Sequence, residues 1–203
     1  MSPDLFAHSH YQTCYLHLTH LPALGLLQQL VRRLGETPSW HKEGLLCQLL
    51  DRARQVDGTL LVVLDEAHLL PAESLIDLRL LVSSAVDDAP ALKFLWVGQE
   101  SLLETLRRAV HRDLLDRITV RHTLHPLSKA QTVAYVEYQL RAAGNSEKLF
   151  ASEVVELIHD YTGGVPRANN NLATSCLLAA AAAGSHRING TTLQRTLSEF
   201  HLP

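Results

Sequence analysis

Asp65 and Glu66 stand side by side at the end of the apolar run Leu60-Leu61-Val62-Val63-Leu64. A run of branched apolar residues reads as a strand buried on both faces of a parallel sheet. Such a strand delivers its carboxyl end to the crevice where α/β sheets bind ligands. Two carboxylates there need a partner, because a desolvated charge is costly unless it is paired. A hydrated Mg²⁺ carrying a nucleotide meets that need, with one acid on the metal side and the next polarising a water. The plain alternative is a buried strand followed by a helix start, with Asp65 as the cap.

Three further places carry candidate chemistry. The apolar run Leu92 to Val97 ends in Gly98-Gln99. An amide at that tip either holds a water against a phosphate or is a turn glutamine in solvent. Arg112, Arg117 and Arg121 surround the β-prone stretch Ile118 to Leu124. A guanidinium fits phosphate bidentately, and one at a subunit edge can reach a neighbour's nucleotide. A solvated basic face is the competing account. Gly163-Gly164-Val165-Pro166-Arg167 sets an arginine in the first turn of a helix, where a cation is mildly unfavourable. Either an anion or a surface salt bridge explains it. His8, His10 and Cys14 would share a strand face, but their spacing matches no closed zinc site.

The elements that must position these residues follow from pattern. Tyr11 to Leu18 is rich in β-formers, and Leu21 to Leu34 has helical spacing ending at Gly35. Leu45 to Val56 reads as a helix, Thr59 to Leu64 as the strand that ends at the two acids and Pro71 to Ser84 as a helix opened by proline. Leu92 to Val97 reads as a strand, Glu100 to Val110 as a helix and Ile118 to Leu124 as a last strand. Alternating strands and helices predict an α/β fold with a parallel sheet. The pattern changes at Pro126. Ser128 with Gln131 forms a capping box for a helix to Ala143, and Ser152 to Tyr161 is helical. Pro166 to Ala183 is a long alanine-rich helix, and Thr191 with Gln194 opens a last one to Phe200. The expected organisation is an α/β core over 1–125 and an α-helical lid over 126–203.

The 203 residues carry a formal charge of −3, which gives no overall bias towards nucleic acid. Three dispersed cysteines suggest reduced thiols, no apolar run reaches a membrane span, and cytoplasm is the expected compartment.

Taken in order, Leu60–Glu66, Gln99, Leu115-Asp116-Arg117-Ile118, Pro126-Leu127-Ser128 and Gly164-Val165-Pro166-Arg167 resemble an AAA+ ATPase. The similarity is to the group of general-secretion-pathway ATPases and helpers of DNA transposition, with an origin-recognition-like AAA domain, and runs from Pro3 to Phe200. It implies a P-loop NTPase core binding ATP and Mg²⁺ in the crevice between core and lid. Asp65 would hold Mg²⁺ through water, Glu66 would be the catalytic acid, and Gln99 would be sensor 1. Arg117 would be the arginine finger, with Arg112 as its rival, and Arg167 would be sensor 2 on the γ-phosphate. Self-association and service to a DNA transposase, or to a secretion system, are the implied partners and output.

One departure is plain. The family's G-x-x-x-x-G-K-[ST] phosphate loop is absent, since none of Lys42, Lys93, Lys129 and Lys148 follows a glycine. Pro3-Asp4-Leu5 resembles the segment just after the phosphate-loop helix. A truncated, split or decayed form is therefore expected, lacking a strand between Leu92–Val97 and Ile118–Leu124. A module that only oligomerises is the rival. Asp65-Glu66-Ala67-His68 also spells a helicase DEAH box, but the other motifs of those enzymes are missing. No G-x-S-x-G elbow supports a hydrolase triad.

Overall fold

A computed structural model describes residues 10–18, 21–83, 92–145 and 147–199. They form two compact units that part between Arg121 and His122.

The first unit holds strands β1 (Tyr11–His17), β2 (Thr59–Asp65) and β3 (Leu92–Trp96) in one parallel sheet of order β1-β2-β3. Register sets Tyr15 opposite Val63, His17 opposite Asp65 and Leu64 opposite Trp96. The central strand is the most apolar one, and Leu60, Val62, Val63 and Leu64 are fully buried. On β1 the sides alternate: Cys14 and Leu16 face the core while Tyr15 and His17 are exposed. The period of two places those residues on opposite faces of the sheet. Strand β3 differs from the expectation of a strand covered on both faces, for Lys93 and Leu95 are exposed.

Helices α1 (Ala23–Arg33), α2 (Lys42–Gln55), α3 (Ala72–Ser83), α4 (Glu100–Leu106) and α5 (Arg112–Leu115) complete the unit. Leu26, Leu27, Leu30 and Val31 recur at helical spacing and bury against β1 and β2 core residues, as do Leu45 and Leu49 of α2 and Leu75, Leu78 and Leu81 of α3. Helix α2 starts before Leu45, and α3 starts right after Pro71, as its missing N–H favours. Ser84 lies outside the described residues. The single helix expected from Glu100 to Val110 is broken, because Arg108 takes an extended backbone and a 3₁₀ turn, Ala109–His111, follows.

The strand expected over Ile118 to Leu124 does not form. These residues carry no strand assignment, and Val120 and Leu124 are 81% and 84% exposed. β-propensity is a preference for a packed, paired surface, and no partner strand lies beside this stretch among the described residues.

The second unit is helical: α6 (Lys129–Ala142), α7 (Ser152–Thr162), α8 (Pro166–Ala182) and α9 (Gly190–Glu199). Its core gathers Val136, Phe150, Val154, Ile158, Leu172, Cys176 and Leu193. The Ser128–Gln131 capping box is present on both sides. For α9 the cap is Asn189 instead of Thr191: its Oδ1 accepts from the Thr192 N–H and hydroxyl. Phe200 lies outside the described residues. No helix among the described residues is long and apolar enough to cross a membrane.

Candidate functional site

Strand β2 ends at Asp65, and the chain reverses at Glu66. Glu66 has φ 58° and ψ 35°, the one non-glycine residue with positive φ among the described residues. Holding a glutamate there strains the backbone, and such strain gathers at functional sites. A 3₁₀ turn, Ala67–Leu69, follows, closed by Leu69 N donating to Glu66 O at 2.9 Å. The tips of β2 and β3 are tied twice. Val97 N donates to Leu64 O at 2.9 Å, and Ala67 N donates to Val97 O at 2.8 Å. Gly98 makes the approach possible: a Cβ there would stand 3.0 Å from His68 N and 3.4 Å from Ala67 N. Gln99 then caps α4, with its backbone N 3.5 Å from His68 Nδ1. The structure therefore brings Asp65, Glu66 and the Gln99 main chain to one end of the sheet.

The Asp65 carboxylate is held from three directions. Oδ1 accepts the Glu66 N–H at 3.0 Å, Oδ2 accepts the Tyr15 hydroxyl at 2.5 Å, and His17 Nδ1 lies 3.5 Å from Oδ2. The Tyr15 bond, helped by the Glu66 N–H and His17, holds its pKa below the usual carboxylate range. The same pair raises the Tyr15 phenol. Asp65 is thus an anion with a fixed geometry. Each carboxylate oxygen offers about two lone-pair sites, so Oδ1, which accepts only the Glu66 N–H among the contacts above, keeps acceptor capacity. No cluster of three His, Cys, Asp or Glu that could hold a metal exists among the described residues. A single ionised carboxylate at the mouth of a sheet fits Mg²⁺, which keeps several waters and takes one or two protein carboxylates. It does not fit zinc. Cys14 is buried in the core while His10 is exposed, and His8 lies outside the described residues.

Of the other residues singled out by sequence, Arg112, Arg117 and Arg121 follow α4 in the first unit and Arg167 lies in the second. Arg117 and Arg112 are exposed on and after α5, where no strand flanks them among the described residues. Arg121 turns back, donating from Nη2 to Leu115 O at 2.9 Å. In the second unit, Gly163 and Gly164 both take positive φ and lead into Pro166-Arg167 at the start of α8. The Thr162 hydroxyl lies 2.7 Å from Ile158 O and is hydrogen-bonded to the buried Asn169 side chain, which fixes this turn. Leu127 N donates to Gly164 O at 2.9 Å, and a Cβ on Gly164 would collide with Leu127 O at 2.0 Å. The Pro126–Ser128 segment and the turn before Arg167 are therefore one locked structure.

Tyr15 and His68 are not legible as site residues, and His17 reads in sequence only as one of several scattered histidines near the N-terminus. Tyr15 and His17 alternate on the solvent face of β1, a pattern that any edge of an exposed sheet shows; only register reveals that they face Asp65. His68 reads in sequence only as a letter of a helicase motif.

Residues 7–106 match the AAA domain family. General secretion pathway protein A of Aeromonas hydrophila is 38% identical over 148 residues, which are 72% of this chain and 26% of that relative. The chain thus spans about a quarter of that relative's length. Among solved structures, the ORC2 protein of Aeropyrum pernix in its ADPNP–ADP complexes superposes with a TM-score of 0.71 at 20% identity, over 96% of this chain and 54% of that one. The Aeropyrum pernix ORC1 protein in complex with DNA gives 0.67 at 16%, over 93% and 50%. The parallel sheet, the acids at the tip of its central strand and these matches agree on the fold, that of the AAA+ P-loop NTPases, with residues 7–106 similar to the AAA domain family.

Proposed function

We propose that this domain is the hydrolytic part of an ATPase in which Asp65 and Glu66 do the work. The observation that supports this best is the strained Glu66, turned out at the tip of the central strand beside an anchored, ionised Asp65. Asp65 would hold Mg²⁺, which when bound would offset charge on the phosphates. Glu66 takes the proton of the attacking water, and Gln99 orients that water. Arg167, and Arg117 of a neighbouring subunit, stabilise the charge that builds on the leaving phosphate. Arg112 is the alternative finger.

The output we favour from the residue resemblance is regulation of a DNA transposase, with self-association and DNA as partners. Solved relatives include one in complex with DNA. A second reading, service to a secretion pathway, is supported by the relative named for that pathway.

These 203 residues include no phosphate loop to supply the backbone cradle and lysine. Alone they are expected to show no saturable, Mg²⁺-dependent binding of a fluorescent ATP analogue in the micromolar range. The same chain fused behind a strand–G-x-x-x-x-G-K-[ST]–helix segment is expected to bind it. Absence of binding by the fused form would overturn the proposal.

A further inference from the structure

His68 sits on the turn immediately after Glu66 and is largely shielded from solvent. Its Nδ1 has two neighbours, Glu66 Oε2 at 3.3 Å and the Gln99 backbone N at 3.5 Å. These neighbours make opposite demands. A carboxylate accepts, so it needs a proton on Nδ1; a backbone N–H donates, so it needs the Nδ1 lone pair. One ring nitrogen serves one of them at a time.

We propose that His68 is a positioning residue that couples the Glu66 carboxylate to the main chain of Gln99. The inference rests on the reading of Glu66 as the water-activating acid. With its proton on Nδ1, the ring holds the Glu66 carboxylate and leaves the Gln99 N–H without it as acceptor. When Glu66 swings away to take a water, the proton moves to Nε2 by exchange, and Nδ1 receives the Gln99 N–H. The device is a choice of which ring nitrogen carries the proton, set by where Glu66 points. The surroundings give it little slack. Ala67 is bonded to Val97 O, and Gly98 packs against the His68 main chain at a distance no side chain could tolerate without displacement. The backbone of Glu66 is fixed in the left-handed region, so its side chain is the part free to choose.

The test uses the 203-residue chain itself, ¹⁵N-labelled and without nucleotide. Ring nitrogen shifts of His68 and the amide proton of Gln99 are compared between the natural chain and Glu66→Gln. The neutral carboxamide is a weaker acceptor, so the ring is expected to move towards the Nε2–H tautomer and the Gln99 amide proton to move downfield. Adding His68→Ala to Glu66→Gln is expected to quicken Gln99 amide exchange about fivefold relative to Glu66→Gln alone, the loss of one ordinary hydrogen bond. Unchanged amides of Leu61, Val62 and Val63 certify that the sheet is intact in each variant. If Glu66→Gln leaves both the ring tautomer and the Gln99 amide where they were, the coupling is wrong. Because no ATP is present, that result would leave the ATPase proposal standing, and failure of hydrolysis would leave this coupling standing.

Discussion

At the scale of single residues, buried polar groups show how little slack the first unit has. Asp77 is 1% exposed, and Lys42 Nζ, 2.5 Å from its Oδ1, is its one partner among the described residues. The pair ties the start of α2 to α3. Lys42 is half-exposed while Asp77 is buried, so removing the lysine leaves a buried carboxylate without its counter-charge. Lys42→Met is therefore expected to destabilise the fold by about 3 kcal/mol in urea unfolding, with Asp77→Asn costing clearly less. Equal losses from the two changes would contradict this account. His111 is buried near Arg79 and Arg108, and burial first, then those two cations, push its pKa down. The unfolded state then takes up a proton at a pH where the folded state does not. This contribution to stability is whole above the ordinary histidine pKa of about 6.5 and is lost as pH falls through that value towards the lowered one. His111→Gln should flatten the fall in unfolding free energy between about pH 7 and pH 5 relative to the natural chain. An unaltered slope would mean that other groups carry it.

At the scale of elements, the outer edge of β3 is the informative place. Val97 gives both its N–H and its C=O to the β2 side. Alternation along the strand then turns the amides of Phe94 and Trp96 away from β2, towards an edge with no strand beside it among the described residues. Hydrogen exchange in the 203-residue chain should therefore alternate. Lys93 and Leu95 should exchange slowly with Val62 and Val63, while Phe94 and Trp96 exchange about 100-fold faster or more. Uniform protection along β3 would mean that another strand pairs there. The same edge explains what sequence could and could not deliver. The apolar runs that become β2 and β3 are legible because burial on a sheet demands branched residues. The helices are legible from their spacing, from Pro71 and Pro166, and from the Ser128–Gln131 box. Ile118 to Leu124 has the same β-prone residues but no neighbour to bond, and propensity alone cannot supply one. The broken helix at Arg108 has no proline or glycine to announce it.

At the scale of the molecule, function depends on groups that composition cannot align. The adjacent acids at the end of an apolar run mark the end of the sheet at which chemistry is proposed. Their geometry came from elsewhere: Tyr15 from a strand distant in sequence, Gly98 from the tip of a third, and a left-handed backbone that glutamate itself disfavours. Those are tertiary facts, set by register and close approach. The second unit keeps its own parallel case, in which Thr162, Asn169 and Leu127 lock the turn that presents Arg167. The central claim, that Glu66 is the catalytic acid of a Mg²⁺-dependent ATPase, has one direct measurement: ATP turnover against ATP affinity in the phosphate-loop fusion, with and without Glu66→Gln. The change keeps size and most hydrogen-bonding capacity while removing the base, so affinity should stay within about threefold while turnover falls about 100-fold or more. Turnover that survives the substitution unchanged would contradict the account.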